Sequence, residues 1–288
     1  MSSERGGQAE PAPQGCIGLI AGNGQFPRLF ARAARQQGVR VVAVAMRGET
    51  EPTLEDEVDA LTWVRVGQLG KMIKAFARAG VRRAAMAGGV RKTRLFSGAR
   101  PDLLGLRVLA RCVIRRDDGM LRAVAAEFER QGVTIVDSTL YMPDALAPQG
   151  VLTQGHPSPR EWQDLAYGFG VAQHIGQLDI GQTVVVKDGA VVALEAIEGT
   201  DACIRRAGEL THRCGAVMVK VAKPVQDMRF DVPAIGPATL DSCEAAGVRV
   251  VGIEAGRTLM IEPERLIAEA NRRKLVLVGL DTSTRMEA

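Results

Sequence analysis

Residues 223–237 read KPVQDMRFDVPAIGP, directly after the apolar run 215–222. Asp227, Arg229 and Asp231 alternate there, Gln226 adds a neutral hydrogen bonder, and Lys220 and Lys223 lie just upstream. Alternate residues of an extended chain project to one side. Two carboxylates around a guanidinium can form a structural ion-pair cluster. They can also hold a divalent cation through the hard oxygens of Asp227 and Asp231, while Arg229 grips a phosphate with paired donors. The second arrangement suits phosphoryl chemistry, in which a metal offsets phosphate charge and a carboxylate orients water.

Two other stretches carry candidates. LEAIEGTDA (194–202) puts Glu195 and Ile197 on one face of an extended strand and crowds Glu198, Thr200 and Asp201 where a helix begins. Capping accounts for Thr200 and for Asp201; Glu198 is less well explained. GLIAGNGQFP (18–27) runs from strand through glycine turn into helix. Gly22 and Gly24 let backbone approach a ligand, and the helix start offers free N–H groups to a phosphate. The pattern is half of a dinucleotide fingerprint. Pro27 stands at the third glycine position, and the second strand ends in Met46-Arg47 with no acidic residue for a ribose. A dehydrogenase is therefore disfavoured. A tight turn without ligand, or a site for part of a nucleotide or phosphorylated sugar, stays open. AGGVRKTRLF (87–96) sets Arg91, Lys92 and Arg94 after a glycine pair at a strand end, and Arg107, Arg111 and Arg115 recur every fourth residue. That spacing gives a solvated helix face or an anion- or membrane-attracting one.

These residues need a frame. Apolar runs at 16–22, 39–46, 61–66, 82–90 and 133–137 predict buried strands; helices are predicted at 26–38, 68–80 and near 101–116 and 118–131. Alternating elements with uniformly apolar strands predict a Rossmann-like parallel sheet covered on both faces over residues 15–137. Residues 138–160 hold four prolines and no periodicity, and read as a linker. The second half, 161–283, predicts a mixed α/β sheet. Its elements are a helix over 159–177, a hairpin turning at Asp188-Gly189, a helix over 200–213 capped by Thr200, the strand 215–222, a helix near 238–246, strands near 248–254 and 257–261, a helix over 263–273 and a last strand over 274–280.

Composition excludes other classes. Aromatics are 4 % and the net charge is +4, with no run of five or six basic residues, so nucleic acid is not an expected partner. The five cysteines form no CxxC pair, as expected of reduced thiols in the cytosol. His156, His174 and His212 are isolated, which argues against a zinc site or a histidine-based triad. Residues 1–14 lack an apolar core and are expected to be a disordered tail rather than a signal peptide. No apolar stretch approaches the roughly 20 residues of a membrane span.

GLIAGNGQFP, AGGVRK, RDDGMLRAVAAEFERQG, LDIGQTVVV, EAIEGTDACIRRAG and KVAKPVQDMRFDVPAIGPATL together resemble the LpxI-type UDP-2,3-diacylglucosamine pyrophosphatases. The resemblance runs in order over about residues 16 to 280, and EGTDA and the KPxQDxRFDxPxxGPxT pattern are its specific parts. It implies a two-domain α/β fold with substrate between the domains. It implies hydrolysis of UDP-2,3-diacylglucosamine to lipid X and UMP in lipid A synthesis, by water attack on phosphorus. Mg²⁺ is the implied cofactor, with Mn²⁺ as the alternative. A cytoplasmic homodimer resting peripherally on the inner membrane is implied too. The family's critical aspartate falls on Asp227. With that resemblance the catalytic set is Asp227, Asp231, Lys220, Arg229 and Glu198, and the metal ligands are Asp227 and Asp231. Substrate binding falls to Gly22, Asn23, Gly24, Gln25 and Gly88 in the first half. In the second it falls to Gln182, Thr200, Asp201, Lys223 and Gln226. The competing function is a non-catalytic nucleotide-sugar or lipid-binding protein, in which the same basic loops bind and the aspartates are ion-paired.

Overall fold

The computed structural model describes residues 15–90, 100–112, 117–224, 227–230 and 232–281. Gln226, Asp231, Arg91, Lys92, Arg94 and Arg115 lie outside the described residues. The chain divides into two units, residues 1–110 with 124–136 and residues 111–123 with 137–288.

In the first unit the strands are β1 (Cys16–Ala21), β2 (Arg40–Met46), β3 (Ala60–Val64), β4 (Arg83–Ala87) and β5 (Thr134–Val136). Helices α1 (Phe26–Gln36) and α2 (Leu69–Arg78) precede β2 and β4, and α3 (Leu103–Cys112) and α4 (Asp117–Arg130) precede β5. The sheet is wholly parallel, in the order β3-β2-β1-β4-β5. Strands such as β1 and β2 are buried at nearly every position, because helices cover both faces of a parallel sheet. In α1 the buried residues Phe26, Phe30, Ala31 and Ala34 recur at helical spacing and form the face turned to the core. Chain order reverses at β1: β2 and β3 lie to one side, β4 and β5 to the other. The carboxyl ends of β1 and β4 thus meet at a topological switch point, the usual ligand position in open α/β sheets.

The second unit holds β6 (Gly150–Val151), α5 (Pro159–Gln177), β7 (Thr183–Lys187), β8 (Ala190–Leu194), α6 (Thr200–Leu210), β9 (Ala216–Lys220), β10 (Ala234–Ile235), α7 (Pro237–Ala245), β11 (Val248–Glu254), β12 (Leu259–Met260), α8 (Pro263–Arg272) and β13 (Val276–Leu280). Six strands make a mixed sheet in the order β6-β13-β11-β9-β7-β8, and β10 pairs with β12 separately. Alternation sets its two cores. Val185, Met218, Val251 and Leu277 join Cys203, Ile204, Leu240 and Leu266 of α6, α7 and α8. Their neighbours Val184, Val217, Val250 and Val276 join Leu165 and Phe169 of α5 on the other face. Burying both faces with apolar branched residues is what made these runs legible as core strands.

Local signals are met in detail. Asp188 and Gly189 have φ of 50° and 80°, the left-handed pair of a type I′ hairpin. The buried carboxylate of Asp164 accepts from both their N–H groups, at 3.0 and 2.7 Å. Helix α5 opens on a full capping box between Ser158 and Glu161. Thr200 does not cap α6: the cap is Gly199, and Thr200 is the first helical residue. Residues 138–160 contribute β6, which pairs antiparallel with Val278 and Gly279 of β13. Among the described residues no helix is long and apolar enough to cross a membrane.

Candidate functional site

At the switch point of the first unit the glycines act through the space they leave. Gly22 N–H donates to Ala87 O and Asn23 N–H to Gly89 O, both at 2.8 Å, which ties the turn after β1 to the turn after β4. A Cβ on Gly22 would stand 2.3 Å from Gly89 O, and one on Gly88 2.3 Å from Asn23 O. Side chains at either position would force these segments apart. A Cβ on Gly24, by contrast, would meet nothing within 4 Å. The turn opens α1 at Gln25, whose side chain makes no capping bond, and the first turn of α1 holds no acidic residue. Backbone N–H groups and the positive end of the helix dipole are therefore presented at the switch point. Gly22, Asn23, Gly24, Gln25 and Gly88 lie together at the switch point.

One expectation here is corrected. An acidic residue does follow the second strand: Glu49, 6 % exposed, accepts from the Asn23 side-chain amide at 3.1 Å. Sequence reading missed it because Glu49 lies beyond the apolar run in a turn, and that turn is folded back by Thr50, whose hydroxyl donates to Ala21 O.

In the second unit the polar residues gather at one end of the sheet. Lys220 ends β9 opposite Thr183, is 7 % exposed, and donates to Ala234 O at 2.9 Å. Glu195 follows β8; its carboxylate accepts from Thr200 Oγ1 at 3.0 Å and from Gln182 N–H at 3.4 Å. The side-chain oxygen of Gln182 is buried and accepts no bond among the described residues, an acceptor waiting for a donor. Glu254 ends β11 and accepts from Ala222 N–H at 2.7 Å and from Arg257 at 3.3 Å. Lys223 pairs with Asp179 at 2.6 Å, and both side chains are largely buried. Glu195, Glu254, Asp179 and Arg257 were not singled out. The signal for two of them was present, a glutamate closing each of the runs VVALE and VVGIE.

The other members of the EGTDA stretch diverge. Glu198 pairs with Arg206 at 3.0 Å and accepts from Ala196 N–H, whereas Asp201 accepts from Ser242 at 3.0 Å. Glu198 and Asp201 are thus bound in separate pairs, Glu198 with Arg206 of α6 and Asp201 with Ser242 of α7, rather than converging with Thr200.

Asp227 and Arg229 do meet, but not through an extended strand. Strand β9 ends at Lys220, and residues 228–230 form a turn. Arg229 Nε and Nη2 donate to the two Asp227 oxygens at 3.0 and 2.8 Å, and the Arg229 N–H adds a third bond at 3.2 Å. The guanidinium also lies over the Phe230 ring, 4.8 Å from its centroid. Arg229 beside it holds the Asp227 carboxyl below the usual carboxylate range, with Arg122 adding a smaller pull in the same direction. Asp227 is consequently an anion at every neutral pH. No group of three potential ligands for a metal exists among the described residues, and the histidines stay scattered. The His174 ring bonds the Gly170 carbonyl within its own helix. Of the two expected metal ligands only Asp227 is described, and Arg229 occupies both its oxygens. The described cysteines are free, and burial pushes Cys203 up to about 11 and Cys243 up to about 12, which leaves both thiols inert.

Two family models match successive parts of the chain. Residues 16–145 match the LpxI N-terminal domain and residues 148–278 the LpxI C-terminal domain. The chain is 36 % identical over 279 residues to the UDP-2,3-diacylglucosamine pyrophosphatase LpxI of Caulobacter vibrioides, covering 93 % of this chain and 99 % of that one. Among solved structures, the biotin carboxylase domain of Hydrogenobacter thermophilus 2-oxoglutarate carboxylase aligns with a TM-score of 0.25 at 10 % identity, over 68 % of this chain and 41 % of that one, a slight likeness.

Proposed function

The chain belongs to the LpxI family, and on that premise we propose that it hydrolyses UDP-2,3-diacylglucosamine to 2,3-diacylglucosamine 1-phosphate and UMP in lipid A biosynthesis. The observation that carries this reading is the 36 % identity over nearly the full length of both chains, which spans both units. A purely binding role is not favoured by it. The test is direct: incubation with UDP-2,3-diacylglucosamine releases UMP, and a protein that binds the lipid and leaves it intact contradicts the reading.

We further propose the division of labour. The glycine crossing and the start of α1 take the nucleotide part, since free N–H groups at a helix start suit an anion. Arg229 and the lysines Lys220 and Lys223 supply positive charge for a pyrophosphate, whose charge must be offset before water attacks phosphorus. The buried Gln182 oxygen offers an acceptor to a sugar hydroxyl or to the acyl amide. Asp227 is the residue to hold the attacking group in place. Its depressed pKa makes it a weak proton acceptor, so its role is to orient and to balance charge rather than to remove a proton. For Asp227 to act, substrate phosphate must draw Arg229 away from it. The bidentate pair is then a resting contact that a stronger bidentate partner replaces.

Mg²⁺ fits as a cation that a single carboxylate, Asp227, would hold together with the substrate's phosphate oxygens, the usual manner of Mg²⁺ in phosphate sites. It would supply neutralisation of developing charge on phosphorus. Loss of turnover on chelation, with recovery on adding Mg²⁺, checks this. Homodimer formation and residence at the inner membrane surface are the remaining proposals. Sedimentation equilibrium tests the first and flotation with anionic liposomes the second.

A further inference from the structure

The strand that leads to Asp227 stops pairing before its chain reaches the surface. β9 and β11 run in parallel register up to Lys220 opposite Ile253, and β9 ends there. Val221 and Ala222, which follow, are still buried. Enclosed backbone N–H and C=O groups need partners. On the β7 side Val221 N–H finds one in Gln182 O, at 3.0 Å. On the β11 side the partners are side chains. The Glu254 carboxylate accepts from Ala222 N–H at 2.7 Å through one oxygen and from Arg257 Nη1 at 3.3 Å through the other. Arg257 Nη2 donates to Lys223 O at 3.3 Å. An acceptor and a donor, paired with each other, thus take the place of a neighbouring strand's C=O and N–H.

This clamp stands on fixed parts. Glu254 closes β11 in register with Leu280 of β13. Ala255 N–H donates to Leu280 O at 2.7 Å, Gly256 N–H to Ala147 O at 2.8 Å and Thr258 N–H to Glu254 O at 3.0 Å. Helix α5 backs the clamped residues closely: a Cβ on Gly176 would stand 3.2 Å from Pro224 Cδ and 3.3 Å from Lys223 Cα. Pro224, with its fixed φ, hands the direction set at Lys223 to the loop that carries Asp227 and Arg229. Ser138 Oγ holds that loop again beyond Asp227, donating to Met228 O at 3.3 Å. Neutral side chains would satisfy one N–H and one C=O. An ion pair makes both bonds stronger, at a desolvation cost that stability alone seldom repays.

We propose that Glu254 and Arg257 are positioning residues of the hydrolysis. They fix the root of the loop after β9, and through it the place of the Asp227 carboxylate. This rests on the reading of the chain as a pyrophosphatase in which Asp227 orients the attacking group.

The test is steady-state UMP release from UDP-2,3-diacylglucosamine by the full chain, with thermal melts to establish that each variant is folded. Glu254→Gln keeps the shape of the side chain but turns an NH2 group toward one of its two donors, so half the clamp is lost. Arg257→Met removes the donor to Lys223 O. Each is expected to lower kcat by roughly ten- to a hundredfold, the scale of a misplaced group in a site, and to leave KM within about twofold. Arg257→Lys keeps the cation without the forked donor and is expected to recover kcat to within about fivefold of the wild type. In an Asp227→Ala background the same substitutions are expected to cost no more than about twofold, because residues that act through Asp227 have nothing left to place. Either of Glu254→Gln and Arg257→Met suffices if the other does not fold. A folded variant with wild-type kcat overturns the proposal. A loss that persists in full on Asp227→Ala, or failure of both variants to fold, makes the clamp structural and overturns it too. Release by Asp227→Ala at the wild-type rate overturns the role of Asp227 and the clamp with it, and leaves the hydrolase reading standing. No release by the wild type overturns that reading as well.

Discussion

The switch point of the first unit and the strand-end cluster of the second are built by opposite means. The first is made of backbone. Gly22 and Gly88 let two turns cross at distances no side chain permits, and Thr50 straps the turn after β2 to the main chain of β1. The second is made of charge: Lys220, Lys223 with Asp179, Glu254 with Arg257, and Asp227 with Arg229. A backbone site is preorganised and costs nothing to keep empty. A site of paired charges must exchange partners when an anionic ligand enters, and the pairs decide how readily. The first suits positioning, the second suits chemistry on a polyanion.

That contrast can be broken at its charged end first. Asp227→Ala is expected to retain substrate binding and to lose about 10²- to 10³-fold in turnover, the scale of removing one electrostatic contributor; steady-state rates with separate binding measurements check it, and near-normal turnover refutes the catalytic assignment. At the backbone end Gly22→Ala is expected to destabilise by about 1–3 kcal/mol, because its Cβ must displace main chain rather than a flexible side chain. Gly24→Ala, with free space but φ of +79°, should cost only about 1–2 kcal/mol; thermal melts rank the two. Lys220→Met should lower turnover by about tenfold while leaving the melting temperature within a few degrees, the loss of one charged hydrogen bond to the substrate. A large melting shift with unchanged turnover would make Lys220 structural.

The smallest effect concerns pH. Arg249, with help from the Ser158 cap, holds Glu161 at about 2, below its ordinary value near 4.3. A carboxylate depressed in the folded state stabilises above its unfolded pKa, and that contribution is lost as pH falls through about 2. Glu161→Gln should therefore lower stability most at pH 7, by about 1–2 kcal/mol for the lost charged hydrogen bonds and weakened cap, and its difference from the wild type should shrink as pH falls from about 4 to 2. Urea melts across that range measure it.

Legibility followed the same divide. Buried strands flanked by glycine and proline announce themselves, because covering both faces of a sheet demands unbroken apolar runs. The glycine crossing was readable from Gly22 and Gly88 for a similar reason, as close approach has few sequence solutions. The Asp227–Arg229 pair was readable as a pair, yet its geometry was not: an i,i+2 contact forms in a turn as well as along a strand. Glu49 was hidden because only the tertiary strap of Thr50 brings it to the switch point. Thr200 looked like a cap, but tertiary contact with Glu195 claimed its hydroxyl and left the cap to Gly199.

The place of β13 has a consequence for how the molecule is made. In the second sheet the strand reached last along the chain is an inner one, between β6 and β11, and Gly279 must find Gly150. On the ribosome the parallel sheet of the first unit has all its strands once residue 136 has emerged. The second must wait for residue 280, holding β6 and β11 apart with unpaired edges and bare valines. Non-local pairing of this kind is slow and exposes sticky surface meanwhile. Nascent chains paused between those two points are where chaperones should be found engaged.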